Sequence, residues 1–203
     1  MEQLTGIFDS HAHYDDARFD ADRAQVIGGL RAAGVQRVMN AASDLASSRA
    51  ALELTRQYDF FWCAVGVHPE EALEAPPDYL QQLRELAAQP RVRAIGEIGL
   101  DYHWQTVPRE VQKRLFEEQL ALAAELDLPV IVHDREAHGD TLELLHRYRP
   151  RGVVHCFSGS AEMAREVTAL GMYVGFTGAV TFKTARKPLE AAAAVPPDRL
   201  LLE

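Results

Sequence analysis

The sequence has few cysteines, no long apolar run and no recognisable export signal. Its two cysteines among 203 residues are too few for a disulfide framework. Both Cys63 and Cys156 lie in apolar, strand-like runs, where we expect buried and reduced thiols. No stretch approaches the roughly 18 consecutive apolar residues that span a bilayer, and the opening MEQLTGIFDSHAH lacks the basic and apolar regions of a signal peptide. We therefore expect a cytoplasmic protein with no membrane contact.

Positive charge is also scarce. Lysine and arginine total 21 against 30 aspartates and glutamates, so the formal net charge is -9. This balance excludes broad electrostatic binding of nucleic acid, and a polyanionic substrate would have to be held locally by a metal ion or a few cationic side chains. The remaining composition, 47% hydrophobic and 25% charged, is typical of one globular domain. We expect a single domain over residues 1–203 and no obligate protein partner.

Eight short apolar runs alternate with longer amphipathic stretches, which predicts repeated βα units. The candidate strands are GIFDSH, RVMNAA, FFWCAVGV, VRAIGEIG, PVIVH, GVVHCF, MYVGF and RLLLE. The clearest helix follows Pro108, and Asp44 is suited to cap the helix after the second strand.

Such an α/β pattern fits either a (β/α)8 TIM-like barrel or an open doubly wound sheet. The first strand is followed by DSHAHYDD, which lacks the glycines of a dinucleotide-binding loop, so the barrel is favoured. Because eight complete units usually need about 250 residues, we expect that the segment after strand eight is lacking.

Histidines and one glutamate lie at the carboxyl ends of different candidate strands. His11 and His13 end the first strand, and Glu97, His133 and His155 end the fourth, fifth and sixth. Each has an ordinary alternative: a chance HxH pair, a glutamate paired with an arginine, or a hydrogen-bonded core histidine. In a barrel, however, these strand ends converge on one face, and four imidazoles with one carboxylate form a typical metal-ligand set.

Four further residues are expected on the same face. His68 could contact a substrate oxygen or protonate a leaving group, or it could cap the loop before Pro69. Asp101 could orient a ligand histidine or organise its own loop. Arg135 and Lys183 are the cations best suited to bind an anionic substrate, and solvated surface charge is the alternative for both.

An ordered series of motifs along the whole chain resembles the TatD family of metal-dependent deoxyribonucleases, a branch of the amidohydrolase-like barrels. The resemblance is carried by FDSHAHYDDARFD at 8–20, GVHPEE at 66–71, GEIGLDYHW at 96–104, VIVHDREAHGDTLELL at 130–145, VHCFSGS at 154–160 and GFTGAVTFKTAR at 175–186.

The resemblance implies a dinuclear metal centre and metal-dependent cleavage of DNA phosphodiesters, often as an exonuclease. It implies His11 and His13 on one cation, Glu97 bridging, and His133 and His155 on the other. Family members carry a further metal-binding aspartate after strand eight, whereas this sequence stops at the glutamate of LLLE. We therefore expect a barrel that is incomplete at its carboxyl end relative to the family.

The predicted function is hydrolysis of DNA phosphodiesters by water activated between two divalent ions, which could be Zn, Mn or Mg. His68 and Glu97 are the predicted catalytic residues, and Arg135 and Lys183 the predicted substrate contacts. The same chemistry would also serve a hydrolase of another small ester, amide or phosphoester. A truncated, non-catalytic metal-binding barrel is the third alternative.

Overall fold

Strands and helices alternate regularly along residues 4–203, which are the residues that this computed structural model describes. The strands are β1 Ile7–Ala12, β2 Val35–Ala41, β3 Phe61–Val65, β4 Val92–Asp101, β5 Val130–Arg135, β6 Gly152–Val154, β7 Tyr173–Phe176 and β8 Leu200–Leu202. The α-helices are α1 Arg23–Leu30, α2 Leu45–Gln57, α3 Tyr79–Ala87, α4 Arg109–Glu125, α5 His138–Tyr148, α6 Ala161–Ala169 and α7 Arg186–Ala194. All eight predicted strands are confirmed.

The strands form one parallel sheet in the sequential order β1 to β8. The Ser10 hydroxyl of β1 donates a hydrogen bond of 2.9 Å to the carbonyl of Leu202 in β8, so the first and last strands lie side by side. A doubly wound sheet would reverse its strand order near the middle. The predicted (β/α)8 barrel is therefore confirmed.

Local sequence signals account for the helix starts. The Asp44 side chain accepts a hydrogen bond of 2.6 Å from the Ser47 backbone amide, and the Ser47 hydroxyl accepts one of 2.8 Å from the Asp44 amide. This reciprocal capping box begins α2. Helix α4 begins directly after Pro108 and buries an apolar face that includes Leu115, Phe116 and Leu120.

Three apolar clusters support the barrel. The largest lies around the strands and the helices that cover them, and a second contains Ile27, Leu54 and Phe61. A third cluster contains Ala41, Ala64, Ala94, Ile131 and Val153, one from each of β2 to β6. Alternate side chains along these strands thus fill the interior of the barrel with apolar groups. The polar side chains concentrate where the strands end.

The two cysteines differ in their surroundings. Cys63 is buried in β3 as predicted, but Cys156 is exposed, so the prediction of two buried thiols was wrong for Cys156. Strand β6 ends at Val154, and Cys156 has φ 42°, in the left-handed region. The chain therefore leaves the sheet before the apolar run ends. Within residues 4–203, no helix has the length and apolar character needed to cross a bilayer.

Candidate metal centre

Five histidines surround the Glu97 carboxylate. The shortest distances between a ring nitrogen and a carboxylate oxygen of Glu97 are 3.2 Å for His11, 3.5 Å for His13, 3.5 Å for His68, 2.8 Å for His133 and 2.6 Å for His155. Glu97 itself is only 4% exposed. A carboxylate in such a dry position requires compensation by charge or by donors.

The cluster forms because parallel strands deliver their carboxyl ends to one face of the barrel. His11 lies in β1, Glu97 in β4 and His133 in β5. His155 follows β6 directly, and His68 lies three residues after the end of β3. The predicted convergence is thus observed. The alternative in which Glu97 pairs with an arginine is wrong, since no arginine contacts it in the described part of the chain.

The two oxygens of Glu97 face different histidines. Oε2 lies nearest His11 and His13, whereas Oε1 lies nearest His133 and His155. This division agrees with one carboxylate shared between two ligand groups. Two groups of three side chains also place their possible ligand atoms within 4.8 Å of one another. One group is His11, Glu97 and His155, and the other is His68, Glu97 and His133.

Acceptors behind the rings determine which nitrogen faces the cluster. His13 Nδ1 lies 2.9 Å from the Ala41 carbonyl; because a carbonyl only accepts, Nδ1 donates this hydrogen bond and Nε2 is the nitrogen that faces the cluster. His133 Nε2 lies 3.0 Å from Asp101 Oδ2, so its Nδ1 faces Glu97. This carboxylate–histidine arrangement is the usual support for a metal-bound imidazole.

The third support comes from Glu203. Its carboxylate accepts hydrogen bonds of 3.2 Å from the Cys156 amide, and Oε2 lies 3.4 Å from His155 Nδ1. The other ring nitrogen, Nε2, lies 2.6 Å from Glu97 Oε1. It also stacks on the His11 ring, with centroids 3.9 Å apart and planes at 9°, so the two rings restrict each other's orientation.

Burial and charge set the protonation of the cluster. Burial, together with the nearby His155, lowers the pKa of His11 to about 4, which keeps this ring neutral. Burial opposes ionisation of Glu97, but His155 and hydrogen bonds from His11, His133 and His155 hold the pKa of Glu97 well below its usual range. Burial also opposes protonation of His155, yet Glu97 and Glu203 outweigh it and raise its pKa to about 10.

The same balance acts on His133. Burial lowers its pKa, but hydrogen bonds to Asp101 and Glu97 outweigh burial and raise it. The carboxylates thus attract positive charge to this point, and a divalent cation would compete with protons for the same ring nitrogens.

The donor set fits a metal ion. His11 Nε2 and His13 Nε2 approach to 2.9 Å. The buried His11 Nδ1 has no hydrogen-bond partner among residues 4–203. Converging imidazole nitrogens around an ionised carboxylate are the ligands that zinc and similar transition ions prefer.

His68 caps the loop before Pro69, which is one of the two roles considered for it. Its Nδ1 accepts a hydrogen bond of 3.3 Å from the Glu70 amide, and the residue caps the 3₁₀ helix Pro69–Glu71. Its Nε2 lies 3.5 Å from Glu97 Oε1. The cap therefore fixes the ring at the edge of the cluster, within reach of a ligand bound there.

The two predicted substrate cations lie further out. Arg135 is exposed at the end of β5, with its guanidinium carbon 5.2 Å from the centre of the Trp104 ring. Lys183 is exposed beyond the 3₁₀ helix Gly178–Thr181, which follows β7. No contact joins either of them to the histidines in the part of the chain that the structure covers. Arg135 ends β5 and Lys183 follows β7, so both lie on the face of the barrel that carries the cluster.

Two buried glutamines of α4, which the sequence analysis missed, hold backbone beside the site. Gln112 Oε1 accepts from the Asp101 amide at 2.8 Å, and its Nε2 donates to the carbonyls of Asp101 and Val107 at 2.8 and 3.0 Å. Gln119 exchanges equivalent bonds of 2.8 and 3.0 Å with Val67, the neighbour of His68. The sequence signal that could have identified them is a pair of glutamines seven residues apart on the apolar face of one helix.

Comparisons with known proteins agree with this architecture. A family model described as TatD related DNase matches residues 8–203. The chain is 42% identical over 200 residues to the uncharacterized metal-dependent hydrolase YabD of Bacillus subtilis, covering 97% of the chain and 78% of that protein. It is 40% identical over 203 residues to the 3'-5' ssDNA/RNA exonuclease TatD of Cronobacter sakazakii, covering 97% and 76%.

Solved structures give the same result. The crystal structure of YjjV, a TatD homolog from Escherichia coli, superimposes with a TM-score of 0.91 at 34% identity, covering 97% of this chain and 78% of that one. A hydrolase of the TatD family from Entamoeba histolytica superimposes with a TM-score of 0.87 at 25% identity, covering 100% and 74%.

Proposed function

Since the chain belongs to the family of TatD-related DNases, we propose that it is a metal-dependent hydrolase that cleaves phosphodiester bonds of single-stranded nucleic acid. The substrate follows the relatives named as exonucleases of single-stranded DNA and RNA. The single observation that carries the proposal is the buried Glu97 carboxylate with five histidines directed at it.

Two divalent cations are the proposed cofactors. His11 and His13 would hold one cation and His133 and His155 the other, with Glu97 as the carboxylate that both groups share. The proposal is supported by the different histidines that the two oxygens face. A set with so many nitrogen donors favours Zn over Mg, which prefers oxygen ligands.

The chain's own residues have separate tasks in this proposal. Bound cations supply an activated water and neutralise charge that develops on phosphoryl oxygens. His68, fixed by its bond to the Glu70 amide, orients or protonates the leaving oxygen. Arg135 and Lys183 bind neighbouring phosphates, which a chain with formal charge -9 must attract locally.

The central test replaces Glu97 by alanine. We expect Glu97→Ala to lose metal, measured by elemental analysis, and to lose hydrolysis of a single-stranded oligonucleotide by at least about 100-fold, the range seen when a charge-stabilising group is removed. The matched control is Glu162→Ala, since the Glu162 side chain is 82% exposed on α6, and it should retain both properties.

The wild-type protein should be assayed with Zn, Mn and Mg on that oligonucleotide, a nitrophenyl phosphodiester and a cyclic amide. Undiminished nuclease activity in Glu97→Ala would contradict the assigned centre. Turnover of the amide alone would favour another barrel hydrolase. Full metal loading without turnover of any substrate would indicate a non-catalytic barrel.

A further inference from the structure

We propose that the exposed indole of Trp104 is a stacking platform for an unpaired base of the substrate, with Arg135 contacting the adjacent phosphate. The inference rests on the proposed function and deepens it, because it assigns the preference for single strands to one side chain. Trp104 follows β4, on the face of the barrel that carries Glu97.

The exposure of Trp104 is the first observation. Its side chain is 55% exposed, although most large apolar side chains of the described residues are buried. Large aromatic groups that stay in water beside a polar centre are typical of binding surfaces. The His103 ring meets the indole edge-on, with centroids 4.7 Å apart and planes at 83°, and it supports the indole without a parallel stack.

The indole is connected to the candidate metal centre by one carboxylate. Asp101 Oδ1 accepts hydrogen bonds from the amides of His103 and Trp104, at 2.9 and 3.3 Å. Asp101 Oδ2 lies 3.0 Å from His133 Nε2. The group that orients a proposed metal ligand therefore also fixes the backbone of Trp104, and a nucleotide at the centre would extend over this loop.

Arg135 provides the matching charge. Asp101 and Arg135 are register partners in β4 and β5, and the Arg135 guanidinium carbon lies 5.2 Å from the indole centre. A cation beside an aromatic surface is the combination that binds single-stranded nucleic acid, since bases stack while the cation meets the backbone. Bases inside a duplex have both faces covered, so an interior base must leave the stack before it can use Trp104.

The first experiment combines protein and substrate changes. Trp104→Ala should lower kcat/KM for single-stranded DNA by about 5- to 150-fold, the range for loss of one base stack, while Trp104→Phe should retain most of it. On oligonucleotides with an abasic unit at the terminal or penultimate 3' position, the penalty of Trp104→Ala should disappear at one of the two. Tyr173→Ala is the control, because it removes an exposed aromatic ring from the start of β7.

The second experiment does not depend on turnover. The chain has two tryptophans, so Trp62→Phe leaves Trp104 as the only indole. Titration of the metal-loaded variant with phosphorothioate oligothymidylate, which resists hydrolysis, should quench its fluorescence. Quenching without cleavage of natural DNA by wild-type protein would retain the platform and refute the proposed function. Cleavage without quenching, or an equal penalty of Trp104→Ala on intact and abasic substrates, would overturn the platform.

Discussion

Replacing Gln112 by leucine should destabilise the protein strongly, although the glutamine lies in neither a salt bridge nor the proposed ligand set. The side chain is 2% exposed and its amide satisfies three backbone groups. These are the amide and carbonyl of Asp101 and the carbonyl of Val107. Leucine has similar bulk but offers no donor or acceptor, so all three groups lose this partner.

The expected magnitude follows from those three bonds. A buried polar group left without a partner costs about 1–3 kcal/mol. Leucine recovers part of this loss because its own side chain needs no hydrogen bonds when buried. The net loss in free energy of unfolding should then be about 2–4 kcal/mol, and the melting temperature should fall by roughly 4–16 °C for a chain of this size.

Urea denaturation of the chelator-treated protein would measure the change without a contribution from bound metal. Gln119→Leu should lose less, because its amide satisfies only the amide and carbonyl of Val67 outside α4. Gln81→Leu is the control, since Gln81 is exposed and bonds only Glu85 in the described contacts. A midpoint for Gln112→Leu equal to that of Gln81→Leu, at an unchanged slope, would refute the reasoning.

Three further measurements check other parts of the structure. Asp101→Asn should weaken metal binding about 10- to 100-fold, because Asp101 orients His133 and the loss of such a support typically has this effect. The control is Asp127→Asn, at a side chain that is 92% exposed. Equal metal affinities of the two variants in a chelator competition would argue against the role of Asp101. Protein in free metal at 100 times the metal Kd should lose about 2.7 kcal/mol of unfolding free energy when the metal is removed. An unchanged calorimetric transition would count against a metal site in the folded state. At pH 8 a disulfide reagent should modify Cys156 and spare Cys63, because burial raises the pKa of Cys63 to about 12 and keeps it a thiol; equal labelling rates would contradict this.

The repeated pattern of apolar runs was enough to predict the barrel and its eight strands. Each run is short, apolar and separated from the next by an amphipathic stretch. These are local properties that can be read from the side chains of each segment alone. The end of β6 could not be predicted from this pattern. The run GVVHCF continues past Val154, and only the left-handed backbone at Cys156 moves that thiol to the surface.

The candidate ligands could also be found from sequence, because strand ends share one face in any parallel barrel. Their supports could not. The role of Asp101 was left open between orienting a ligand histidine and organising its own loop, and Glu203, Gln112 and Trp104 had no predicted role. Each contacts residues that are distant in the chain. Glu203, for example, lies beside His155, which is 48 positions earlier.

The sequence by itself therefore determined the order of elements and the chemical type of the side chains at each strand end, since both depend on local composition. Only the tertiary structure decided how those side chains meet. It divided the Glu97 oxygens between two sets of histidines and selected the ring nitrogen that each support leaves free. It also left Trp104 in water beside the site. Distances and hydrogen bonds between separate strands depend on register and packing, and no single segment of the chain contains that information.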